Sequence, residues 1–96
     1  MKYVKVAWNH DFVDEPVLYL SELGDDGYET RRVQFYRDGR AEWADRDHEA
    51  TTVGLSEIPF PALEEISSRP EFDAGPIGAE EFELAWDRSR SVRDDS

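Results

Sequence analysis

The chain has 96 residues, 39% of them apolar, with 11 basic and 23 acidic side chains, a formal charge of −12 and no cysteine. A single domain of this size buries only about two thirds of its unfolded surface, so an enclosed active site has little room. Lack of cysteine excludes a disulfide scaffold, thiol catalysis and a Cys-ligated zinc site, while the spread of acid (7 basic against 12 acidic groups in residues 1–50, 4 against 11 in residues 51–96) opposes nucleic-acid and anionic-membrane binding and favours encounter with a basic protein.

Residues 2–9, KYVKVAWN, alternate as a half-buried strand, with Val4, Val6 and Trp8 on one face and Tyr3, Lys5 and Ala7 on the other. Trp8 is read as a core residue, because a small domain rarely leaves an indole unburied. No basic-then-apolar leader opens the chain, since Lys5, Asn9 and Asp11 interrupt it, and no stretch reaches membrane-helix length; a cytoplasmic protein is expected. The loop His10-Asp11-Phe12-Val13-Asp14-Glu15-Pro16 follows and is the most chemically varied in the chain. Its imidazole and carboxylates suggest a divalent-cation site or an acid/base pair, but calcium-loop spacing is missing and no second histidine stands at ligand distance. The plainer reading is a surface histidine, with Phe12 and Val13 pinning the loop to the core.

Val17 to Leu23 is a second strand, placing Leu18, Leu20 and Glu22 on one face and Val17, Tyr19, Ser21 and Leu23 on the other. Gly24 to Gly27 is a turn, and Tyr28 opens a third strand. Arg31 and Arg32 point to opposite faces there, each paired across strands with Glu22, Glu29 or Glu42. Asp38-Gly39 is the dipeptide of a two-residue hairpin loop. With that loop, Tyr36 faces Ala41, Phe35 faces Glu42, Gln34 faces Trp43 and Val33 faces Ala44.

From Asp45 to Ser56 the pattern lapses, with a short extended segment expected around Thr52 to Leu55. His48, between Asp47 and Glu49, belongs to no metal motif. Ala62 to Ser67 reads as a short helix after Pro61, with Leu63 and Ile66 toward the sheet, and Phe72 anchors a linker running to Gly75. The longer helix runs from Ala79 to about Ser89: Gly78 is its N-cap, Ile77 and Phe82 form a hydrophobic staple, and Phe82, Ala85 and Trp86 make the stripe that closes one sheet face. Residues 91–96 are expected to be a disordered polar tail on a single domain spanning 1–90.

No P-loop, dinucleotide fingerprint or serine elbow is present, and abundant acids by themselves identify no catalytic pair. The segments KYVKVAWNHDFVDEPVLYLSEL, ETRRVQFYRDGRAEWA, PFPALEEISSRPEF and EEFELAW together resemble an uncharacterised family of small bacterial proteins. Its members open on a lysine-tyrosine-aliphatic-lysine-valine-x-tryptophan strand and carry an arginine-aspartate-glycine hairpin. The matching positions are Lys2, Tyr3, Lys5, Val6, Trp8, His10, Asp11, Glu15, Pro16, Arg37, Asp38 and Gly39. As a domain of unknown function, that family implies no activity, cofactor or catalytic residue.

The fold expected is α+β: an antiparallel meander of about four strands, with one short and one longer C-terminal helix packed on one face. The function expected is a small, acidic, non-catalytic protein-binding module without a cofactor, such as an immunity-like inhibitor of a basic protein, using Asp11, Asp14 and Glu15. One rival is a metal-dependent module centred on His10, Asp11 and Asp14. Another is a small-ligand domain using a sheet face around Tyr19, Tyr36 and Trp43.

Overall fold

The computed structural model describes residues 1–12, 15–45 and 60–94, with side chains described through residue 90. In chain order the elements are β1 (Lys2–Trp8), β2 (Pro16–Leu23), β3 (Glu29–Tyr36), β4 (Ala41–Asp45), α1 (Leu63–Ser67), β5 (Phe72–Ile77) and α2 (Ala79–Asp94). All strand pairs are antiparallel, in the order β4-β3-β2-β1-β5. The α+β meander forms as expected, with its short and its longer helix. One strand is added: Phe72 to Ile77, which reads as a linker in sequence, pairs with β1 from Trp8↔Phe72 to Tyr3↔Ile77. Gly75 and Pro76 disguise it, yet an edge strand tolerates proline because one side of its ladder is unpaired. The segment Thr52 to Leu55 and His48 lie outside the described residues.

The β2–β3 and β3–β4 hairpins both close through three-residue loops. At the second, Gly39 N–H donates to Tyr36 O at 3.1 Å and Tyr36 N–H to Arg40 O at 2.8 Å. Gly39 alone takes positive φ, at 95°. The first repeats the pattern, with Gly27 at φ 84° and the pair Gly24 N–H to Tyr28 O at 3.0 Å. This is a turn followed by a left-handed glycine bulge. A two-residue loop would need positive φ at Asp38 as well, and among the described residues no non-glycine residue has it. The expected pairing is therefore corrected by one residue: Val33 faces Trp43, Gln34 faces Glu42 and Phe35 faces Ala41. A slip of one turns a whole strand over. Trp43 thereby joins the face of Val33 and Leu20.

α2 lies on that face. Leu20, Val33, Phe82 and Trp86 form its buried centre, with Tyr3, Leu18, Phe35, Trp43, Ile77 and Ala85 packed around them. Phe82 and Val33 are wholly buried, and enclosing a ring of that size stabilises by roughly 2–3 kcal/mol. Phe82 N–H donates to Gly78 O at 3.2 Å, so the helix starts where the N-cap reading puts it. It continues through Asp94, beyond the expected end near Ser89. No glycine or proline halts it, and the buried Ser89 hydroxyl donates to Trp86 O at 2.8 Å within the helix. Arg31 joins sheet and helix, lying 4.9 Å from both the Phe82 and the Trp86 ring centres while bonding Glu22 and Glu83.

The other side of each strand carries Val4, Val6 and Trp8 of β1, Tyr19 and Ser21 of β2, and Arg32, Gln34 and Tyr36 of β3. α1 packs beside β5, tied to it by Ser67 Oγ donating to Ala74 O at 3.3 Å. Ile66 turns toward Val6 and Tyr19, bounding a groove with them. Phe60 N–H bonds Gly27 O at 2.8 Å, fixing the segment that leads into α1 against the first hairpin turn.

Candidate functional site

Two adjoining features concentrate aromatic and charged groups at the Trp8 end of β1. The first is the loop after it. His10 bridges that loop: one ring nitrogen, Nε2, lies 2.8 Å from Pro16 O and the other, Nδ1, accepts the Phe12 N–H at 2.9 Å. Only the tautomer protonated at Nε2 makes both bonds. Arg37, from the second hairpin loop, donates to His10 O, and Asn9 N–H bonds Glu71 O at 2.7 Å. The imidazole lies tilted against its neighbours, its centre 4.1 Å from that of Trp8 and 5.4 Å from that of Phe12. Residues 9–12 are thus braced from three directions, by β2, the second hairpin and the residues before β5.

That bracing leaves Phe12 outside. The residue is 62% exposed, which corrects the expectation that Phe12 pins the loop to the core. Its amide is held by His10, so the side chain is directed outward along the flank of Trp8. Trp8 is itself only partly buried, not a core residue, and packs against Phe72 at 5.9 Å on the neighbouring strand. Beside Phe12, Asp11 and Glu15 are exposed. Asp14 and Val13 lie outside the described residues. A metal bound at His10 would have to break one of its two internal bonds. Among the described residues, no cluster of three or more His, Asp or Glu is arranged to hold an ion.

The second feature is the groove bounded by Val6, Trp8 and Tyr19 of the sheet, Phe60 and Ile66 of the α1 segment, and Phe72, with a volume of about 610 Å³. That lies within the usual span for small-molecule sites. Arg32 stands in it but is committed: its guanidinium forks to Glu29 at 2.9 and 2.8 Å, while Ser21 Oγ donates to the same carboxylate at 2.7 Å. Arg69 and Glu65 also line the groove, both exposed, and neither side chain has an ion-pair partner among the described residues. Burial raises the Tyr19 phenol above its ordinary ionisation range, Arg32 opposing and Glu15 adding to the effect.

The three rings expected on one uncovered face are divided. Tyr19 lines the groove. Tyr36 is buried and donates its hydroxyl to Glu42, and burial together with that bond pushes its ionisation up to about 12. Trp43 stands edge-on to Trp86, 5.2 Å away, in the core under α2. Sequence reasoning missed the groove because its walls come from segments far apart in the chain. Phe60, Ile66, Arg69 and Phe72 meet Val6 and Trp8 only once β5 is recognised as a strand. The alternation Phe72, Ala74, Pro76 was the available signal.

The match to a known family covers residues 2–91. The chain belongs to the family described as Domain of unknown function (DUF6881). No curated protein and no solved structure matches it. Membership of DUF6881 gives the braced loop and the groove no assigned role, so their chemistry rests on the residues themselves. Among the described residues, no helix is long and apolar enough to cross a membrane.

Proposed function

We propose that this DUF6881 protein is a non-catalytic protein-binding module that engages a basic partner through the His10 loop, as an immunity-like inhibitor would. The observation supporting this reading is the exposure of Phe12. An exposed aromatic ring forgoes burial worth roughly 2–3 kcal/mol, yet here the Phe12 amide is bonded by His10, which is itself bonded to Pro16 O and Arg37. Preorganised aromatic anchors flanked by charge are how protein interfaces concentrate their affinity. Asp11 and Glu15 supply the flanking charge, and the overall −12 speeds approach of a basic surface.

The test is capture from an extract of the source cells on immobilised protein, comparing wild type with Phe12→Ala and with the double reversal Asp11→Lys, Glu15→Lys. The reading expects a protein retained by wild type, released by rising salt, and lost with both variants. Retention that neither variant alters, or no retained protein at low salt, refutes it.

A further inference from the structure

The groove under α1 carries two charges of opposite sign that are unpaired among the described residues. Arg32 is neutralised by Glu29 at two points, but Arg69 and Glu65 on the opposing wall form no ion pair among the described residues. Between them and the sheet, the lining is aromatic and aliphatic: Trp8, Tyr19, Phe72 and Ile66. The Tyr19 hydroxyl likewise has no hydrogen-bond partner among the described residues. An apolar slot with a few convergent polar groups is the usual make-up of a small-molecule site.

We infer that this groove binds a small zwitterion bearing an aromatic ring, of the aromatic amino-acid class. The ring lies against Trp8 and Ile66, where flat surfaces gain both burial and aromatic contact. A carboxylate meets Arg69, whose planar fork suits it. An ammonium meets Glu65. Charge selects this class over its relatives. A simple anion would enter a protein of net charge −12 against the field, and a simple cation would leave Arg69 unanswered. A molecule with both charges answers Arg69 and Glu65 together and carries no net charge through that field.

The experiment is a titration of the nitrogen-15-labelled full chain with L-tryptophan, followed by amide and indole resonances. Shifts at the Trp8 indole and the Ile66 and Phe72 amides should saturate at or below roughly 1 mM, an affinity within reach of a ligand of this size. Tryptamine, lacking the carboxylate, and indole-3-propionate, lacking the ammonium, should each bind about tenfold more weakly. Arg69→Gln should weaken L-tryptophan about tenfold without altering tryptamine, Glu65→Gln should leave indole-3-propionate unaltered, and Ile66→Trp should block the groove. The spectrum of each free variant reports its fold, and the two exposed-charge variants stand independently if Ile66→Trp disturbs it. Absence of saturable shifts at these residues overturns the inference. So does equal binding of all three compounds, or binding that Arg69→Gln and Glu65→Gln leave unchanged. Protein capture through Phe12 is read separately and can fail or succeed without affecting this result.

Discussion

Replacing Glu22 with glutamine removes the carboxylate that locks β2, β3 and α2 together while keeping its shape. Its side chain is 9% exposed and receives Arg31 Nε at 2.9 Å, Arg31 Nη2 at 2.6 Å and the Thr30 hydroxyl at 2.7 Å. The Arg31 bonds, partly opposed by burial and supported by Thr30 and Tyr3, lower its ionisation from 4.5 to about 2. At about 1.4 kcal/mol per pH unit, that displacement corresponds to about 3 kcal/mol of folding stability. Arg31 keeps Glu83 in the variant, so the expected loss at pH 7 is about 2–3 kcal/mol. The pH dependence identifies the cause. A depressed carboxylate stabilises fully above its unfolded value of 4.5, and that contribution declines as pH falls toward about 2. Urea unfolding of wild type and Glu22→Gln should therefore differ most above pH 5, by about 1.4 kcal/mol near pH 3, and hardly at all below pH 2. A gap that stays constant from pH 7 to pH 3 would assign the loss to packing instead of charge. A gap under about 0.5 kcal/mol at pH 7 would mean that removing the buried charge costs no more than losing an exposed ion pair.

Trp86→Ala should cost about 3–5 kcal/mol in the same assay, because its ring fills the space between Trp43, Phe82 and Arg31; a loss below 1 kcal/mol would refute that packing. Gly39→Ala should cost about 1–2 kcal/mol through its positive φ alone, since nothing within 4 Å would meet the added methyl group. Gly75→Ala, equally uncrowded but without positive φ, should be near neutral by the same urea unfolding. His10→Ala removes the acceptor of the Phe12 amide, so hydrogen exchange at that amide should accelerate while the α2 amides are unchanged. Absorbance titration near 295 nm should show a tyrosine ionising near pH 12 that disappears in Tyr36→Phe. Because the folded value is raised, stability from this hydroxyl is present below pH 10 and lost as pH rises through about 12.

Most of the sheet could be read from alternation and glycine. Val4 and Val6, Leu18 and Leu20, and Val33 and Phe35 announce strands, and Gly27 and Gly39 mark both reversals at the right places. Phe82 and Trp86 announce the helix that covers one face. Three things were not readable, each for a physical reason. Loop length depends on whether one or two residues take positive φ, and Asp-Gly permits either. β5 hides behind Gly75 and Pro76, residues depleted in strands but acceptable at an edge. Phe12 resembles any other loop anchor until the bonds from His10 show which way its amide is held.

The first of these decides the chemistry of both faces. Had Asp38-Gly39 formed the loop alone, Trp43 would stand beside Gln34 on the face of Tyr19 and Tyr36, and Ala44 would meet Val33 under α2. Adding Arg37 to the loop turns β4 over. The indole then fills the space against Trp86, and the small Ala44 goes to the groove side. A backbone choice at Gly39 thus closes one face with aromatic packing and leaves the other to be walled by Ile66 and Phe72. A deletion of Arg37 tests the link directly, because it forces the shorter loop. It should expel Trp43 from the core, removing the Trp43–Trp86 contact, and lower stability by several kcal/mol. An unchanged near-ultraviolet tryptophan spectrum in that deletion would mean that the register is held by α2 and not by the turn.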